Sequence, residues 1–366
     1  MKGRIAVLKA PRKPFEIEEY DVPDPQPGAI VLRTTMAAIC GSDLHRWRGD
    51  SSGRPMPARG VVMGHEGIGV VHTLGSGVTT DFAGNQLREG DRVVFSAVFS
   101  CLRCRYCLAG DHNYCQSSKL THHRGAPGEF PYFFGTFGDF VYLTPNQPVW
   151  KAPDLLADEV LAPVNCGIGT IMQGLLRGGL TAGQAVVFQG AGGLGLAGTG
   201  IAHIYGAHPI IAIDGVPARL QLARELGATH TINLKDYPTS ESRIARVKEI
   251  TAGVGADIVV ELVGIGELVP EGMAMLAPDG SFVEIGNIIG AKSEITPSLR
   301  ARIVGSSMYR PALLPKILEL LVRGVETLPF QNIISHKFAL ADVTEAFEHS
   351  EWSGKETDVI RSVLIP

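Results

Sequence analysis

Four of the six cysteines in this 366-residue chain lie in CLRCRYCLAGDHNYC, residues 101–115. Their spacing, C-x2-C-x2-C-x7-C, differs from both common ferredoxin patterns, so an iron–sulfur cluster is not favoured. Six cysteines are also too sparse for a secreted domain held together by disulfides. Four thiolates in a short loop can instead surround one zinc ion tetrahedrally, which predicts a structural zinc at Cys101, Cys104, Cys107 and Cys115.

The two other cysteines, Cys40 and Cys166, combine with His65 into a second predicted zinc site. Cys40 lies in CGSDLH and His65 lies in GHEG. Two thiolates and one neutral imidazole balance the charge of the metal and leave one coordination position open, so the ion could activate an alcohol. Each residue alone is more typical of a buried core position, but together they indicate a catalytic metal site.

A glycine-rich turn indicates nucleotide binding. In AVVFQGAGGLG, residues 185–195, a β-branched run leads into Gly190, Gly192 and Gly195 and then into a helix-like segment. This context is typical of a dinucleotide-binding turn. Asp214 follows about 20 residues later, where a carboxylate binds the adenosine ribose and repels a 2′-phosphate. We therefore expect NAD rather than NADP. The alternative to nucleotide binding is that these glycines only shape a packed turn.

The elements that must position these residues fall into two groups. After residue 185, apolar segments (HTINL, ADIVVELVG, SFVEIG, RIVGSSMY) alternate with helix-like segments (PARLQLAREL, SESRIARVKEI), which predicts a doubly wound parallel sheet. The first 150 residues instead hold short β-rich runs between Gly and Pro, as in an antiparallel, partly open barrel. The chain ends in a helical PALLPKILELLVRGV and a strand-like VIRSVLIP, which we expect to return to the first domain.

Composition excludes several classes of protein. The balance of 33 basic to 37 acidic residues gives no reason to expect nucleic acid or an anionic membrane as a partner. Residues 178–213 carry no Asp, Glu, Lys or Arg and could span a bilayer, but the recurrent glycines favour a buried strand, turn and helix. The apolar run near the N-terminus, IAVL, is too short for a signal peptide, so a cytoplasmic protein is expected.

Together these motifs resemble, in order and spacing, those of the zinc-dependent medium-chain alcohol dehydrogenases, over essentially the whole chain. The ligand set of two cysteines and one histidine is the known one of alcohol dehydrogenase. The resemblance implies an α/β chain: a GroES-like, partly open β-barrel catalytic domain (residues 1–166 and 309–366) and a Rossmann NAD-binding domain (167–308), with the active site between them. It also implies alcohol oxidation with zinc and NAD, and a homodimer or homotetramer.

The resemblance assigns roles to further residues. Glu66 matches an acidic neighbour that can approach the metal, and Asp43 matches a carboxylate that orients a ligand imidazole. Ser42 and His45 match a relay that carries the alcohol proton to solvent, a task that suits an imidazole. The matching cofactor-binding positions are Thr170, Gly190, Gly192, Gly193, Leu194, Gly195, Asp214, Arg219 and Arg361.

Within the family, polyol and threonine dehydrogenases use a glutamate as the third protein ligand just before the Cys166 segment. In DEVLAPVNCGIGT the aligned position is Ala162, which favours the alcohol dehydrogenase branch. Glu159 is the nearest rival ligand.

The substrate is predicted from four pocket positions. Ala97, four residues before Cys101, stands where ethanol-oxidising relatives tend to carry a bulky aromatic residue, which implies more room beside the metal. Phe133 and Phe134 resemble apolar pocket residues, and Trp47 closely follows the relay histidine. We therefore expect a bulky secondary or cyclic alcohol, the alternative being that these aromatic residues are ordinary core.

Two other functions remain open at this point. One alternative substrate is an acid-bearing alcohol, with a carboxylate or phosphonate, which the basic residues that flank the motifs could bind: Arg46, Arg48, Lys119, His122, His123 and Arg124. A polyol is another alternative. A non-catalytic NAD-binding sensor is the third hypothesis, although a sensor needs neither an open metal position nor a proton relay.

Overall fold

The computed structural model describes residues 1–50, 56–117, 126–288, 301–351 and 358–366. The chain forms two compact units. Unit 1 comprises Met1–Cys166, Tyr309–Glu319 and Ile334–Pro366, and unit 2 comprises Gly167–Met308 and Leu320–Ile333.

The strands are β1 (Lys2–Leu8), β2 (Phe15–Asp21), β3 (Ile30–Ala38), β4 (Val61–Val62), β5 (Glu66–Leu74), β6 (Arg92–Phe95), β7 (Phe140–Leu143), β8 (Val149–Lys151), β9 (Val186–Gln189), β10 (Ile210–Asp214), β11 (His230–Asn233), β12 (Ala256–Glu261), β13 (Leu276–Glu284), β14 (Arg302–Gly305), β15 (His336–Ala339) and β16 (Ser362–Ile365). The α-helices are α1 (Gly41–Arg48), α2 (Arg105–Leu108), α3 (Asp158–Leu161), α4 (Gly169–Gly178), α5 (Gly193–Ile204), α6 (Pro217–Glu225), α7 (Ser240–Ile250), α8 (Leu268–Met275), α9 (Leu314–Gly324) and α10 (Val343–Ser350). A π-helix covers Val164–Ile168, and short 3-10 turns cover His112–Tyr114, Pro311–Leu313, Phe330–Ile333 and Leu340–Asp342.

Unit 1 is built on two sheets. One has the strand order β15-β16-β3-β5-β6-β8, with β7 also paired to β3, and the other has the order β2-β1-β4. The pairs are antiparallel except for the parallel pair β15 and β16. The last strand, β16, pairs with β3, so the predicted return of the chain to the first domain is confirmed.

Unit 2 holds a six-stranded sheet with the order β11-β10-β9-β12-β13-β14. All its strand pairs are parallel, which confirms the predicted parallel sheet. The strand order changes direction next to β9, and in such sheets ligands bind at the carboxyl ends of the strands at this point. Every residue of β9 is buried.

The uncharged stretch 178–213 contributes the end of α4, all of β9 and α5, and most of β10. In the described part of the chain, none of the helices combines the length and the apolar character that a bilayer span requires.

One segment lies in a different unit from the one expected. We assigned all of 309–366 to the catalytic domain, but Leu320–Ile333 belongs to unit 2. There Phe330 packs on α5, where a Cβ added to Gly200 would lie 2.5 Å from the Phe330 ring. The remaining domain boundaries stay a prediction.

Candidate active site and metal centres

One buried cluster of donor atoms lies in unit 1. It contains Cys40, His65, Glu66 and Cys166, whose ligand atoms all lie within 4.8 Å of one another. Cys40 follows β3, His65 and Glu66 stand at the start of β5, and Cys166 lies in the π-helix. The structure thus brings together the three residues predicted to hold a catalytic zinc, along with Glu66.

Asp43 connects two of these donors. One of its carboxylate oxygens, Oδ2, accepts a hydrogen bond from the backbone N–H of Cys40 at 3.0 Å, at the start of α1. The other, Oδ1, lies 3.3 Å from Nδ1 of His65. With Nδ1 directed at Asp43, the Nε2 atom of the imidazole is left to face the other donors, as a ligand nitrogen must.

The turn before His65 requires glycine. Gly64 has a φ of +90°, and a Cβ added there would lie 2.5 Å from Thr136 Oγ1 and 2.6 Å from the Phe137 ring. A larger residue would therefore displace the strand that carries His65 and Glu66.

Two residues that sequence analysis missed tie Cys166 to the rest of the cluster. Asn165 Oδ1 accepts a hydrogen bond from Gly67 N at 3.3 Å. The backbone oxygen of Asn165 accepts a hydrogen bond from the Tyr309 hydroxyl at 2.7 Å, and that hydroxyl accepts one from Ala97 N at 3.3 Å. Tyr309 is fully buried. No motif in the sequence marks either residue, because their partners are distant along the chain.

The electrostatics of the cluster suit a cation. A hydrogen bond with Cys166 lowers the pKa of Cys40 well below its usual value against the effect of burial, while the same contact and burial raise the pKa of Cys166 well above it. Burial opposes a charged His65, but Asp43 and Cys40 outweigh it and raise the pKa of His65. The hydrogen bond between the two thiols thus favours ionisation of Cys40 over that of Cys166. A dication would stabilise the second thiolate and compete with the proton on the imidazole, so the donor set fits zinc.

Glu66 and Arg361 form a buried ion pair beside these donors. Arg361 Nη1 donates to Glu66 Oε2, and both side chains are almost completely buried. Burial raises the pKa of Glu66 to about 8 although the Coulombic effect of Arg361 lowers it. The resemblance assigns Arg361 to a cofactor-binding position, and in the structure its guanidinium donates a hydrogen bond to Glu66.

The predicted proton relay lies on α1. Ser42 is exposed, with Oγ 3.4 Å from Nε2 of His65. His45 is partly exposed, and its Nδ1 lies 2.9 Å from Asp50 Oδ1 and 2.9 Å from Arg48 Nη2. Because Ser42 and His45 are three residues apart on one helix, they lie on the same face.

The second cluster contains Cys101, Cys104, Cys107 and Cys115, whose Sγ atoms also lie within 4.8 Å of one another. All six cysteines lie in the described residues, and none forms a disulfide. The Sγ atom of Cys107 is 3.9 Å from that of Cys101 and 3.5 Å from that of Cys104. A zinc tetrahedron with Zn–S bonds of about 2.3 Å has edges of about 3.8 Å. The four thiols therefore fit a closed zinc site.

Backbone hydrogen bonds in this loop favour the ionised form of two of the cysteines. Hydrogen bonds from the backbone of Cys107 and Gln116 lower the pKa of Cys104 to about 6, and those of Arg103 and Cys104 lower the pKa of Cys101. Burial and the neighbouring thiols raise the pKa of Cys107 to about 12, an effect that a bound cation would oppose.

The four predicted pocket residues divide into two pairs. Ala97 and Phe134 line a small recess beside His65, together with Gly64, Phe95, Thr136, Val141, Tyr142, Leu143 and Gln147. Trp47 and Phe133 do not line this recess. Trp47 packs on Phe347 with ring centroids 6.0 Å apart, and Phe133, fully buried, packs on Phe140 at 5.8 Å. Their predicted place in the substrate pocket is thus corrected, because distant apolar partners draw both into the core.

The structure also locates the residues of two rival predictions, the alternative zinc ligand and the basic residues for an acidic substrate. Glu159 is not a member of the buried donor cluster, since its carboxylate pairs with Lys337. Of the basic residues considered for an acidic substrate, Arg46 is buried and Arg48 pairs with Asp50 at 2.7 Å and Glu351 at 2.9 Å. The others, Lys119, His122, His123 and Arg124, lie outside the described residues.

In unit 2 the glycine turn joins β9 to α5. Gly190 has a φ of +103°, and a Cβ added to Gly195 would lie 2.0 Å from the backbone oxygen of Gly190. A Cβ on Gly192, which precedes α5, would meet no described atom within 4 Å. The three glycines therefore provide a sharp turn, an open approach and a close helix contact, which a bound pyrophosphate requires.

Asp214, at the end of β10, is fixed beside this turn. Its Oδ2 accepts a hydrogen bond from Ala191 N at 2.8 Å and its Oδ1 accepts one from Val216 N at 2.8 Å. Arg219 Nη1 lies 3.8 Å from Asp214 Oδ2. The other predicted cofactor contacts, Gly193 and Leu194, open α5, and Thr170 is buried in the first turn of α4.

Comparisons with known proteins agree with this geometry. The family model of the alcohol dehydrogenase GroES-like domain matches residues 26–154, and that of the zinc-binding dehydrogenases matches residues 193–323. The chain is 34% identical over 356 residues to 5-exo-hydroxycamphor dehydrogenase of Pseudomonas putida, covering 95% of this chain and 96% of the relative.

It is also 34% identical over 302 residues to the NDMA-dependent alcohol dehydrogenase of Amycolatopsis methanolica, covering 78% of this chain and 77% of the relative. The crystal structure of an alcohol dehydrogenase from Thermotoga maritima matches with a TM-score of 0.91 and 28% identity, covering 100% of both chains. The predicted combination of a GroES-like domain with a Rossmann-type sheet is confirmed.

Proposed function

The chain belongs to the zinc-dependent medium-chain dehydrogenase/reductase family, as an alcohol dehydrogenase of the zinc-containing type, and on that premise we propose that it oxidises a bulky secondary or cyclic alcohol to the ketone with NAD. The observation that carries the substrate class is the recess beside His65, where Ala97 contributes only a methyl group. A relative is named 5-exo-hydroxycamphor dehydrogenase, which supports a cyclic substrate.

The recess combines apolar and polar side chains. Phe95, Phe134, Val141 and Leu143 can pack on a hydrocarbon skeleton, while His65, Thr136, Tyr142 and Gln147 carry polar atoms. Among the described residues that line it, none is lysine or arginine, so it offers an acid-bearing alcohol no such cationic partner.

When bound, zinc at Cys40, His65 and Cys166 would supply Lewis acidity and the nicotinamide would accept a hydride. The chain itself orients groups and moves a proton. Asp43 holds the His65 ring. The exposed Ser42 hydroxyl would accept the proton of the substrate while passing on its own hydroxyl proton. His45, on the same face of α1 and partly exposed, would deliver that proton to solvent.

The choice of NAD is supported by Asp214. Its carboxylate is fixed by two backbone N–H groups beside the glycine turn. In dinucleotide-binding turns a carboxylate at the end of the second strand binds the adenosine ribose. That charge would repel a 2′-phosphate. We expect kcat/KM to be higher with NAD than with NADP for the same alcohol.

The test is the rate of NAD reduction by the zinc-loaded protein with primary, secondary, cyclic, polyol and acid-bearing alcohols. We expect kcat/KM for cyclohexanol and larger cyclic alcohols to exceed that for ethanol by at least about tenfold, which corresponds to about 1.4 kcal/mol of transition-state binding. A preference for ethanol, a polyol or a hydroxy acid would contradict the proposal.

Two adjacent phenylalanines offer a matched pair of variants. Phe134→Leu alters the recess, so we expect the ratio of cyclohexanol to ethanol activity to change severalfold. Phe133→Leu alters the core nearby, so we expect a lower Tm with an unchanged ratio. An equal change of ratio in both variants would show that the recess does not select the substrate.

A further inference from the structure

A third group of metal-binding side chains lies in unit 1, apart from the two clusters already described. It consists of His336 in β15, His349 in α10 and Asp358, four residues before β16. One ligand atom from each of the three lies within 4.8 Å of the others. We propose that this group is a binding site for a divalent transition-metal cation such as Zn²⁺, Ni²⁺ or Cu²⁺.

The donor set selects this class of ion. Imidazole nitrogens suit zinc, copper and nickel, whereas Ca²⁺ and Mg²⁺ prefer sites made of oxygen atoms. Two neutral imidazoles and one carboxylate give the site one negative charge. Three protein ligands also leave coordination positions for water or for a donor from another molecule.

The two rings are already adjacent. The centroids of His336 and His349 are 4.6 Å apart and their planes meet at 65°. Phe338, two residues along the same face of β15, contacts both rings, at 6.5 Å from His336 and 5.8 Å from His349. The Phe338 ring limits the movement of the two imidazoles. His349 and Asp358 are exposed, so a cation can reach them.

His336 has a hydrogen-bond partner suited to a metal ligand. Its Nδ1 lies 2.9 Å from Ser335 Oγ, which is itself 3.2 Å from the backbone oxygen of Arg361. The same hydroxyl accepts hydrogen bonds from Ile360 N at 3.0 Å and Arg361 N at 3.3 Å, which fix it beside the ring. When a metal takes the lone pair of Nε2, the N–H at Nδ1 would share this oxygen as its acceptor. Metal-bound histidines commonly use such a second partner to fix the ring.

The side chain of Lys337 points away from the proposed metal site. Lys337, between His336 and Phe338, points to the opposite face of β15 and pairs with Glu159. A cation at the proposed site would therefore not meet this ammonium group.

The test is calorimetric titration of the zinc-loaded protein with Ni²⁺ alone in a non-coordinating buffer. We expect one additional Ni²⁺ per chain with a Kd below about 100 μM, with the zinc content unchanged by atomic spectroscopy. The absence of saturable binding up to 1 mM, or the release of zinc in proportion to the nickel bound, would overturn the proposal.

Three variants assign the binding to these residues. His349→Ala should weaken Ni²⁺ binding at least tenfold, and Asp358→Asn, in an exposed position, should weaken it while leaving Tm unchanged in the absence of metal. The control is His203→Ala, an exposed histidine of α5 outside the three clusters, which should bind Ni²⁺ as the parent does. Equal binding by the parent and both cluster variants would place the nickel elsewhere.

The ligands can also be identified directly. With one equivalent of Cu²⁺, electron paramagnetic resonance should show coupling to two imidazole nitrogens, and His349→Ala should reduce this to one. A parent spectrum without nitrogen coupling would contradict the site. None of these measurements depends on turnover, so they test the site separately from the proposed reaction.

Discussion

Replacing Asp43 with Asn tests how the imidazole of His65, the proposed zinc ligand, is oriented. The carboxylate accepts a hydrogen bond from Cys40 N at 3.0 Å with one oxygen and faces His65 Nδ1 at 3.3 Å with the other. An amide has the same shape but only one acceptor. Whichever way it is turned, its NH2 group faces either the Cys40 N–H or the ring N–H that His65 needs as a zinc ligand.

The expected loss of zinc affinity follows from the hydrogen-bond donor that the amide leaves without an acceptor. A buried donor left without an acceptor costs about 1–3 kcal/mol. If the His65 ring changes tautomer to avoid this cost, its proton moves to Nε2 and blocks the ligand position. Since about 1.4 kcal/mol is a factor of ten, we expect Asp43→Asn to weaken zinc binding at this site by roughly 10- to 100-fold.

The assay is competition for zinc with a chelator of known affinity, followed by zinc analysis and by kcat/KM after reloading with zinc. The control is Asp257→Asn, which alters a carboxylate in unit 2 that accepts a hydrogen bond from Ala185 N at 2.8 Å. An amide oxygen can accept this single hydrogen bond, so that variant should keep its zinc affinity. If Asp43→Asn holds zinc as tightly as the parent protein does, the orienting role of Asp43 is wrong.

Two further pairs of variants separate roles that the structure keeps apart. Cys40→Ala should abolish turnover with little change in Tm, whereas Cys104→Ser should lower Tm, since a structural zinc contributes directly to folding. Calorimetry measures Tm and rate measurements give turnover, and equal losses of both in the two variants would contradict this difference. In the glycine turn, Gly195→Ala should lower Tm, because its Cβ would lie 2.0 Å from Gly190 O, whereas Gly192→Ala should keep Tm and weaken NAD binding in a fluorescence titration. Unchanged NAD affinity in Gly192→Ala would argue against a cofactor at this turn.

The sequence predicts much of the fold because local signals agree with the final structure. The segment SESRIARVKEI forms α7 over the same residues, and its start is fixed by Thr239, whose side chain accepts a hydrogen bond from Ser242 N. The glycine turn and the parallel strands around it follow from the same kind of pattern. The residues of the two cysteine clusters are also recognisable, since few other residue types can form such sites.

What escapes prediction depends on contacts between distant parts of the chain. Trp47 follows a relay motif, and only its packing on Phe347 reveals that it belongs to the core. The same holds for Asn165 and Tyr309, whose hydrogen bonds position Cys166 from both sides. Residue type and spacing carry no information about such partners.

The pairing of β16 with β3 also has a consequence for the order in which the protein can assemble during synthesis. Glu66 and Arg361 lie 295 residues apart. A nascent chain that has exposed every strand of unit 2 still lacks β16, so unit 2 can fold while the buried carboxylate of Glu66 has no guanidinium partner. The surroundings of the cluster of Cys40, His65, Glu66 and Cys166 therefore close only after β16 has been synthesised.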